Sequence, residues 1–255
     1  MLKAGNIRDH LKSDFYTLNL LQQVTSTNEI VKKYGVCGKS EGEVLIANSQ
    51  TRGRGRLGRE FYSPSDTGLY MSILLRPALS ANDALLITTA AAVAVCRAIE
   101  NVIDCAPKIK WVNDIFVNDK KICGILTESA LSGTGKLEFA VLGIGLNLSS
   151  PKGDFPLELQ KIAGTLNITD DFKKARLCAE ILNEFYTLYQ NIDKKTYLED
   201  YRRRSLLNGK PIYIHKNGEK IKAKAVGVAD DFSLIAEIGE RVEHISTGEV
   251  SIRLR

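Results

Sequence analysis

The sequence is poor in the residues that bind metals and form disulfides. Its 255 residues include three histidines, His10, His215 and His244, and five cysteines without a Cys-x-x-Cys pair. No histidine lies near a cysteine in the sequence, so the spacing does not predict a zinc site. We expect free, mostly buried thiols, as is typical of a protein of the reducing cytoplasm.

Long apolar runs and a strong charge imbalance are missing as well. No run reaches the roughly 18 apolar residues of a membrane span, and residues 1–14 lack the apolar core of a secretory signal. We therefore expect no contact with a membrane. The net charge of +5 comes largely from a few local clusters of arginine and lysine, which alone are weak grounds for nucleic-acid binding.

The familiar glycine-rich phosphate motifs are incomplete. Gly38-Lys39-Ser40 ends like a P-loop, but Lys33 stands where that motif requires its first glycine. Gly143-Ile144-Gly145 lacks the third glycine of a dinucleotide-binding fingerprint and lies late in a β pattern. These two common classes of nucleotide site are therefore not expected.

Apolar periodicity predicts the order of strands and helices. Strands are expected at residues 16–24, 43–47, 69–75, 108–111, 115–117, 122–126 and 137–148, and helices at 29–34, 83–99, 172–192 and 196–206. Asn118-Asp119 is a turn signal that joins two of these strands into a hairpin. The pattern predicts an α+β fold in which helices pack on a mixed, largely antiparallel sheet.

The pattern changes at Gly209, after which short strands follow one another. They are expected at residues 211–215, 221–228, 233–238 and 242–245, with turn signals at Asn217-Gly218 and Gly239-Glu240. This size and spacing resemble an SH3-like β-barrel. We predict two domains, residues 1–207 and 208–255.

The most distinctive segment is residues 53–59, which read Gly-Arg-Gly-Arg-Leu-Gly-Arg. Arginine carries a permanent charge on a planar fork that suits phosphate or carboxylate, and glycine lets the backbone approach a ligand. Leu57 is the one apolar residue of the segment, so we predict a mobile loop that folds over an anionic ligand. A nonspecific nucleic-acid tail is the alternative, and a single copy between two predicted strands fits it less well.

Three further segments place polar residues or glycines at the ends of predicted strands. Residues 110–114 (Lys-Trp-Val-Asn-Asp) combine a cation, an aromatic ring, an amide and a carboxylate; Lys121 precedes a buried strand; and residues 143–147 (Gly-Ile-Gly-Leu-Asn) leave one strand face bare. Each has an ordinary explanation: a core tryptophan, an exposed lysine and close strand–helix packing. The functional interpretation, a pocket for anions and a flat ligand, requires that the segments lie together.

In combination these segments resemble biotin protein ligases over roughly residues 16–255. The matching motifs are Ser26-Thr27-Asn28, Gln50, residues 53–59, residues 110–114, Lys121 before Gly124, residues 143–147 and the terminal Gly248-Glu249-Val250-Ser251-Ile252-Arg253. The chain departs from the family pattern at Val112, where proline is usual, and at Phe61, where tryptophan is usual. The resemblance implies a class II synthetase-like catalytic domain followed by the SH3-like barrel.

The resemblance implies that biotin is activated with ATP and Mg²⁺ to biotinyl-5′-AMP and then transferred to a lysine of a biotin carboxyl carrier protein. The implied catalytic residues are Arg54, Arg56 and Lys121. The implied biotin-binding residues are those three with Ser26, Thr27, Asn28, Gln50, Gly53, Gly143 and Gly145. The implied ATP-binding residues are Arg56, Trp111, Asn113, Asp114, Lys121, Asn147 and Arg253, with Asp114 as a ligand of Mg²⁺.

Other interpretations stay open at this point. Lipoate ligases and octanoyl transferases share the implied fold, and a module that binds nucleic acid or a carrier protein would also explain an Arg/Gly loop. Some family members carry an N-terminal DNA-binding domain, for which the residues before Ser26 are too few, so we expect no DNA partner. An exposed edge of the sheet could pair two chains into a homodimer.

Overall fold

The computed structural model describes residues 2–133, 135–216, 219–246 and 249–252. Within these ranges the strands form a larger and a smaller sheet. The larger sheet consists of β1 (Thr17–Val24), β2 (Glu43–Gln50), β3 (Gly68–Leu75), β4 (Lys108–Lys110), β5 (Asp114–Val117), β6 (Lys120–Leu131) and β7 (Leu137–Asn147). Its spatial order is β1-β2-β3-β7-β6-β5-β4. Since β1 and β2 are parallel and the other neighbours antiparallel, the predicted mixed, largely antiparallel sheet is confirmed.

Helices cover both faces of the larger sheet. They are α1 (Ala4–Arg8), α2 (Thr27–Val36), α3 (Ala84–Val102), α4 (Leu157–Gln160), α5 (Asp171–Tyr189) and α6 (Leu198–Arg203). On one face α2 buries Val31 against Leu45, Leu74 and Val141. On the other face α3 packs on the sheet and α5 packs on α3. Because successive side chains of a strand point to opposite faces, Leu142 joins the core beneath α3 while its neighbour Val141 faces α2.

Helix α3 is the apolar centre of the fold. By length and composition alone it could cross a membrane, but 72% of its apolar window is buried inside the protein. Its run Ala90, Ala91 and Ala92 is buried, and such small side chains allow close packing of a helix on a sheet. The predicted alanine-rich core helix is therefore present, and it extends to Val102.

The smaller sheet contains β8 (Pro211–Lys216), β9 (Glu219–Val228), β10 (Leu234–Ile238), β11 (Arg241–Ile245) and β12 (Glu249–Ile252). Its order among the described residues is β11-β10-β9-β8-β12, and every pair is antiparallel. Phe232 attaches it to the helical layer, because its ring stacks on Tyr197 at 5.2 Å and meets Tyr201 edge-on at 5.4 Å. A division into domains at residues 207 and 208 stays a prediction.

Several element boundaries differ from the periodicity-based predictions. Strand β2 continues to Gln50 because Gln50 pairs with Val24 of β1. The helix expected over residues 196–206 is shorter, because Lys195 adopts a left-handed φ of 50° before it and Ser205 bridges to Ile109 after it. Helices α1 and α4 and strand β12 were not predicted, since each is too short for a period to become visible.

Candidate active site

A cavity opens on the α2 face of the larger sheet, beside the N-terminus of α2 and the end of β2. The predicted residues that line it are Ser26, Thr27, Asn28, Gln50, Arg54, Arg56, Trp111, Asn113, Asp114, Lys121, Gly143 and Gly145. They come from segments far apart in the chain, and the sheet brings them together. The register of β6 and β7, which places Gly124 opposite Gly145 and Leu126 opposite Gly143, forms the floor.

Hydrogen bonds fix the polar side chains at one end of the cavity. The Thr27 backbone N–H donates to Gln50 Oε1 at 2.8 Å, and the Thr27 hydroxyl lies 3.1 Å from the same oxygen. Gln50 Nε2 donates to Ser63 Oγ at 3.0 Å, and Ser63 in turn donates to the Phe61 carbonyl at 2.8 Å. The amide of Gln50 is therefore held in one orientation, with its oxygen toward α2. Ser26, with 1% of its surface exposed, lies just before that helix.

A second set of hydrogen bonds continues from Thr27 to the Arg/Gly loop. The fully buried Ser72 hydroxyl lies 2.7 Å from Thr27 Oγ1 and donates to Asn28 Oδ1 at 2.6 Å. Asn28 Nδ2 donates to Glu128 Oε2 at 2.9 Å, and Glu128 Oε1 lies 3.3 Å from Arg54 Nη2. Polar contacts thus run without interruption from the Gln50 end of the cavity to a predicted anion-binding arginine.

Each of the three predicted catalytic cations contacts a polar group of the protein, Arg54 through Glu128 as described. Lys121 Nζ lies 2.6 Å from Asp114 Oδ1, and their side chains are 30% and 21% exposed. Arg56 Nη1 donates to Asn113 Oδ1 at 3.2 Å. These contacts hold three positive side chains around one cavity, where an anionic ligand would find cations already positioned.

The Arg/Gly segment folds back on itself as a short hairpin. The Arg52 N–H donates to the Thr25 carbonyl at 2.9 Å, and the Phe61 N–H donates to the Gly53 carbonyl at 2.9 Å. Leu57 at its tip is 73% exposed. Gly53 was expected to contact biotin, but it lies outside the cavity lining, and a Cβ there would collide with the Phe61 carbonyl. Gly53 is therefore a packing position within the loop.

The glycines of β7 do not leave the bare face that their spacing suggested. A Cβ on Gly143 would collide with Asn28 Oδ1, and a Cβ on Gly145 would lie 2.6 Å from the ring of Phe61. The space that these glycines leave is thus filled by protein side chains that themselves line the cavity. Gly143 and Gly145 nevertheless line the cavity together with Phe61, so a ligand against this stretch of backbone stays a prediction.

Of three other predicted residues, the structure describes Asn147 and Trp111. Asn147 lies outside the cavity lining, and its Nδ2 donates to the Gly164 carbonyl at 3.1 Å. Arg253 lies outside the described residues. Trp111 lines the cavity and is 4% exposed, and its indole N–H donates to the Phe232 carbonyl at 2.8 Å. Trp111 is therefore both a core residue and a residue of the cavity lining, so the two interpretations of it in the sequence are compatible.

The sequence reasoning missed Ser63, Ser72, Glu128 and Phe61 as parts of this arrangement. Ser72 offered one signal, because it is a lone polar residue inside the apolar run of β3. Glu128 offered a weaker one, as the one charged residue between Ile122 and Leu131 of β6. Neither signal named a partner, because Asn28 and Glu128 are 100 residues apart.

Two alternative chemistries receive no support from the described part of the chain. No three side chains among its His, Cys, Asp and Glu residues cluster as a resident metal site requires. Residues 38–42 (Gly-Lys-Ser-Glu-Gly) match the Gly-x-Ser-x-Gly motif of a nucleophile elbow, but they connect helix α2 to strand β2. An elbow instead follows a strand and precedes a helix.

Comparisons with known proteins agree with this geometry. The model of the biotin/lipoate A/B protein ligase family matches residues 20–147. The bifunctional ligase/repressor BirA of Bacillus spizizenii is 30% identical over 98% of this chain and 79% of the relative. The biotin–[acetyl-CoA-carboxylase] ligase of Mycobacterium tuberculosis is 27% identical over 98% of this chain and 95% of the relative. The solved structure of the biotin protein ligase from Aquifex aeolicus in complex with biotin and ATP has a TM-score of 0.74 and 27% identity, covering 93% of this chain and 98% of that chain.

Proposed function

The chain belongs to the biotin/lipoate A/B protein ligase family, and we propose that it activates biotin with ATP to biotinyl-5′-AMP and transfers the biotin to a lysine of a carrier protein. One observation carries the proposal: a single cavity joins the hydrogen-bonded pair Thr27 and Gln50 to the cations Arg54, Arg56 and Lys121. The polar end suits a cyclic urea, which both donates and accepts hydrogen bonds. The cationic end suits a carboxylate and a phosphate.

We assign the ureido ring of biotin to the end of the cavity beside α2. Ser26, Thr27 and Gln50 offer it donors and acceptors, and hydrogen bonds within the protein hold the directions of those of Thr27 and Gln50. The ring of Phe61, which packs beside Gly145, offers an apolar wall for the rest of the bicyclic system. Such polar groups favour biotin over lipoate or octanoate, because an apolar ring or chain would cover them without offering them hydrogen bonds of its own.

We assign activation to the cationic end. A biotin carboxylate oxygen attacks the α-phosphorus, the bond from that phosphorus to the β-phosphate oxygen breaks, and pyrophosphate leaves. Two anions must approach each other, so the protein contributes chiefly positioning and charge neutralisation. The contacts that hold Lys121 and Arg56 at the cavity, with Asp114 and Asn113 respectively, support their assignment to this role.

We assign the nucleotide to the side formed by Lys110, Trp111, Asn113 and Asp114, which all line the cavity. Mg²⁺ prefers oxygen ligands and is commonly held by one or two carboxylates together with phosphates and water. The Asp114 carboxylate fits such a shared arrangement with ATP, and Mg²⁺ would there add to charge neutralisation. The roles of Asn147 and Arg253 toward ATP stay predictions.

Transfer needs only a nucleophile from the carrier. The neutral ε-amine of the carrier lysine attacks the acyl carbon, the bond from that carbon to the AMP oxygen breaks, and the amine loses a proton as AMP leaves. We expect residues 53–59 to close over the cavity and to shield the mixed anhydride from water. We place the reaction in the cytoplasm, in keeping with the five free cysteines. Pairing of two chains along an exposed edge of the sheet, and the lack of a DNA partner, stay predictions.

The test is ATP–pyrophosphate exchange measured with biotin, lipoate and octanoate in turn. We expect exchange that depends on biotin and remains near background with the other two acids. Exchange that prefers lipoate or octanoate would refute the substrate, and exchange with none of them would refute the ligase activity. Subsequent labelling of a purified carrier domain, detected with streptavidin, tests the transfer step.

A further inference from the structure

We propose that Glu128 is a positioning residue that fixes the biotin end of the cavity by orienting the amide of Asn28 and the guanidinium of Arg54. The inference rests on the proposed function, because it specifies how this site is kept in a form that accepts biotin. Glu128 bonds to both side chains, at 2.9 Å to Asn28 Nδ2 and at 3.3 Å to Arg54 Nη2. It does so from outside the cavity lining.

The position of Glu128 on the sheet explains how its side chain contacts two residues of the cavity. Gly124, Leu126 and Glu128 alternate along β6 and so point to the same face, and the first two form part of the cavity floor. Glu128 lies one step further along, opposite Val141 of β7. Its side chain is 20% exposed, so the carboxylate sits at the margin of the site, partly sheltered from water.

The chemistry of a carboxylate makes its contact with Asn28 directional. An ionised carboxylate only accepts hydrogen bonds, so the Asn28 amide must present its NH₂ group to Glu128. Its Oδ1 then faces the buried Ser72 hydroxyl, which donates to it at 2.6 Å. The same Ser72 hydroxyl lies within donating distance of Thr27 Oγ1, 2.7 Å away, and it has one proton for both acceptors. By fixing which atom of the Asn28 amide faces Ser72, Glu128 acts on the hydroxyl that contacts Thr27 at the ligand end of the cavity.

The amide of Asn28 forms its hydrogen bonds with groups of the protein. Its Nδ2 donates to Glu128 and also lies 3.4 Å from the Leu126 carbonyl, so both amide protons have partners within the protein. Gly143 makes the arrangement possible, because a Cβ at that position would occupy the place of Asn28 Oδ1. We therefore infer that Asn28 orients its neighbours, whereas the sequence resemblance implied a direct contact with biotin.

The second contact of Glu128 links the two ends of the cavity. Arg54 lies 3.3 Å from Glu128 and 4.0 Å from Glu29, with 44% of its side chain exposed. An exposed arginine would otherwise sample many rotamers, which costs free energy when a ligand must fix one. By holding the guanidinium at the cavity wall, Glu128 reduces that cost for the biotin carboxylate.

The test compares the dissociation constant for biotin, measured by isothermal titration calorimetry, with the KM for ATP in pyrophosphate exchange. Glu128→Gln should weaken biotin binding by about tenfold, as expected for one lost charged hydrogen bond. It should change the KM for ATP by no more than about twofold. Glu138→Gln, the same change at an exposed position on the neighbouring β7, should alter neither. An unchanged biotin affinity in a folded Glu128→Gln protein would overturn the inference.

An exchange of the two side chains separates orientation from simple loss of stability. Asn28→Asp alone places two carboxylates against each other and should weaken biotin binding more than Glu128→Gln does. In the Asn28→Asp/Glu128→Gln pair the amide and carboxylate trade places, and the oxygen facing Ser72 remains an acceptor. We expect this pair to bind biotin more tightly than Asn28→Asp alone; equal or weaker binding would overturn the inference. A parent chain that binds no biotin would instead overturn the proposed function itself.

Discussion

Replacing Lys121 with alanine tests the central claim about activation. In the structure its ammonium group lies 2.6 Å from Asp114 Oδ1, and its side chain is 30% exposed to solvent. An ion pair of this exposure contributes only about 0.2–1 kcal/mol to the free energy of unfolding. The variant should therefore fold, and its melting temperature should drop by no more than about 4 °C for a chain of this size.

The effect on catalysis should be much larger than the effect on stability. With substrates bound, Lys121 would face the biotin carboxylate and the α-phosphate, and a hydrogen bond to a charged group is worth about 1.5–3 kcal/mol. Loss of that contact corresponds to a fall of roughly tenfold to 150-fold in the rate of biotin-dependent ATP–pyrophosphate exchange. The cost is expected in kcat as well as KM, because the charge that Lys121 neutralises is greatest where the two anions meet.

Lys120 offers a matched control. It is the preceding residue and loses the same charge on substitution, but its Nζ donates to the carbonyls of Gln160 and Lys161, at 2.9 Å each, outside the cavity lining. Lys120→Ala should keep an exchange rate within about twofold of the parent, well short of the cost of one charged hydrogen bond. If Lys121→Ala exchanges at the parental rate, Lys121 is an ordinary half-exposed lysine and the assigned role is wrong.

Four further outcomes follow from contacts described above. Trp111→Phe removes the indole donor to the Phe232 carbonyl, so the free energy of unfolding in urea should fall by about 1–3 kcal/mol, and an unchanged midpoint would contradict that anchor. Gly143→Ala should displace Asn28 and weaken biotin binding in calorimetry by about fivefold or more, since overpacking typically costs 1–3 kcal/mol; parental affinity would show that Asn28 need not stay in place. Trypsin should cut residues 51–59 more slowly when biotin and ATP are present, and equal digestion would argue against loop closure. Burial raises the pKa of the Cys96 and Cys178 thiols to about 12 and raises that of Cys123 as well, so at pH 8 all three stay protonated and should react with a thiol reagent only after unfolding, whereas exposed Cys37 should react at once; rapid labelling of all five thiols in the native protein would contradict this burial.

Much of the fold could be predicted because its signals are local. The apolar runs of β3 and β7 and the alanine-rich run of α3 indicate that these elements are buried, whatever the rest of the chain does. Elements without a full period, such as α4 and β12, escaped prediction. The end of α6 could not be predicted either, because the helix ends where Ser205 forms a bridge to Ile109.

The chemical character of the site could also be predicted from sequence. Arginines alternating with glycines, a lysine before a buried strand and an amide–carboxylate pair after another indicate anion binding by residue type alone. Their order along the chain then indicated the family. The residue types do not indicate which side chain each of these groups contacts in the fold.

Tertiary structure decided those partners. The register of β5 with β6 brings Lys121 to Asp114, and the stacking of α2 on the sheet brings Asn28 between Ser72 and Glu128. It also decided that the space beside Gly143 belongs to Asn28. Side-chain contacts of this kind depend on strand register and helix position, where a shift of one residue reverses every side chain of a strand. No local pattern in the sequence encodes such a choice, so the charge pairs and hydrogen-bond directions of this site became visible only in the folded chain.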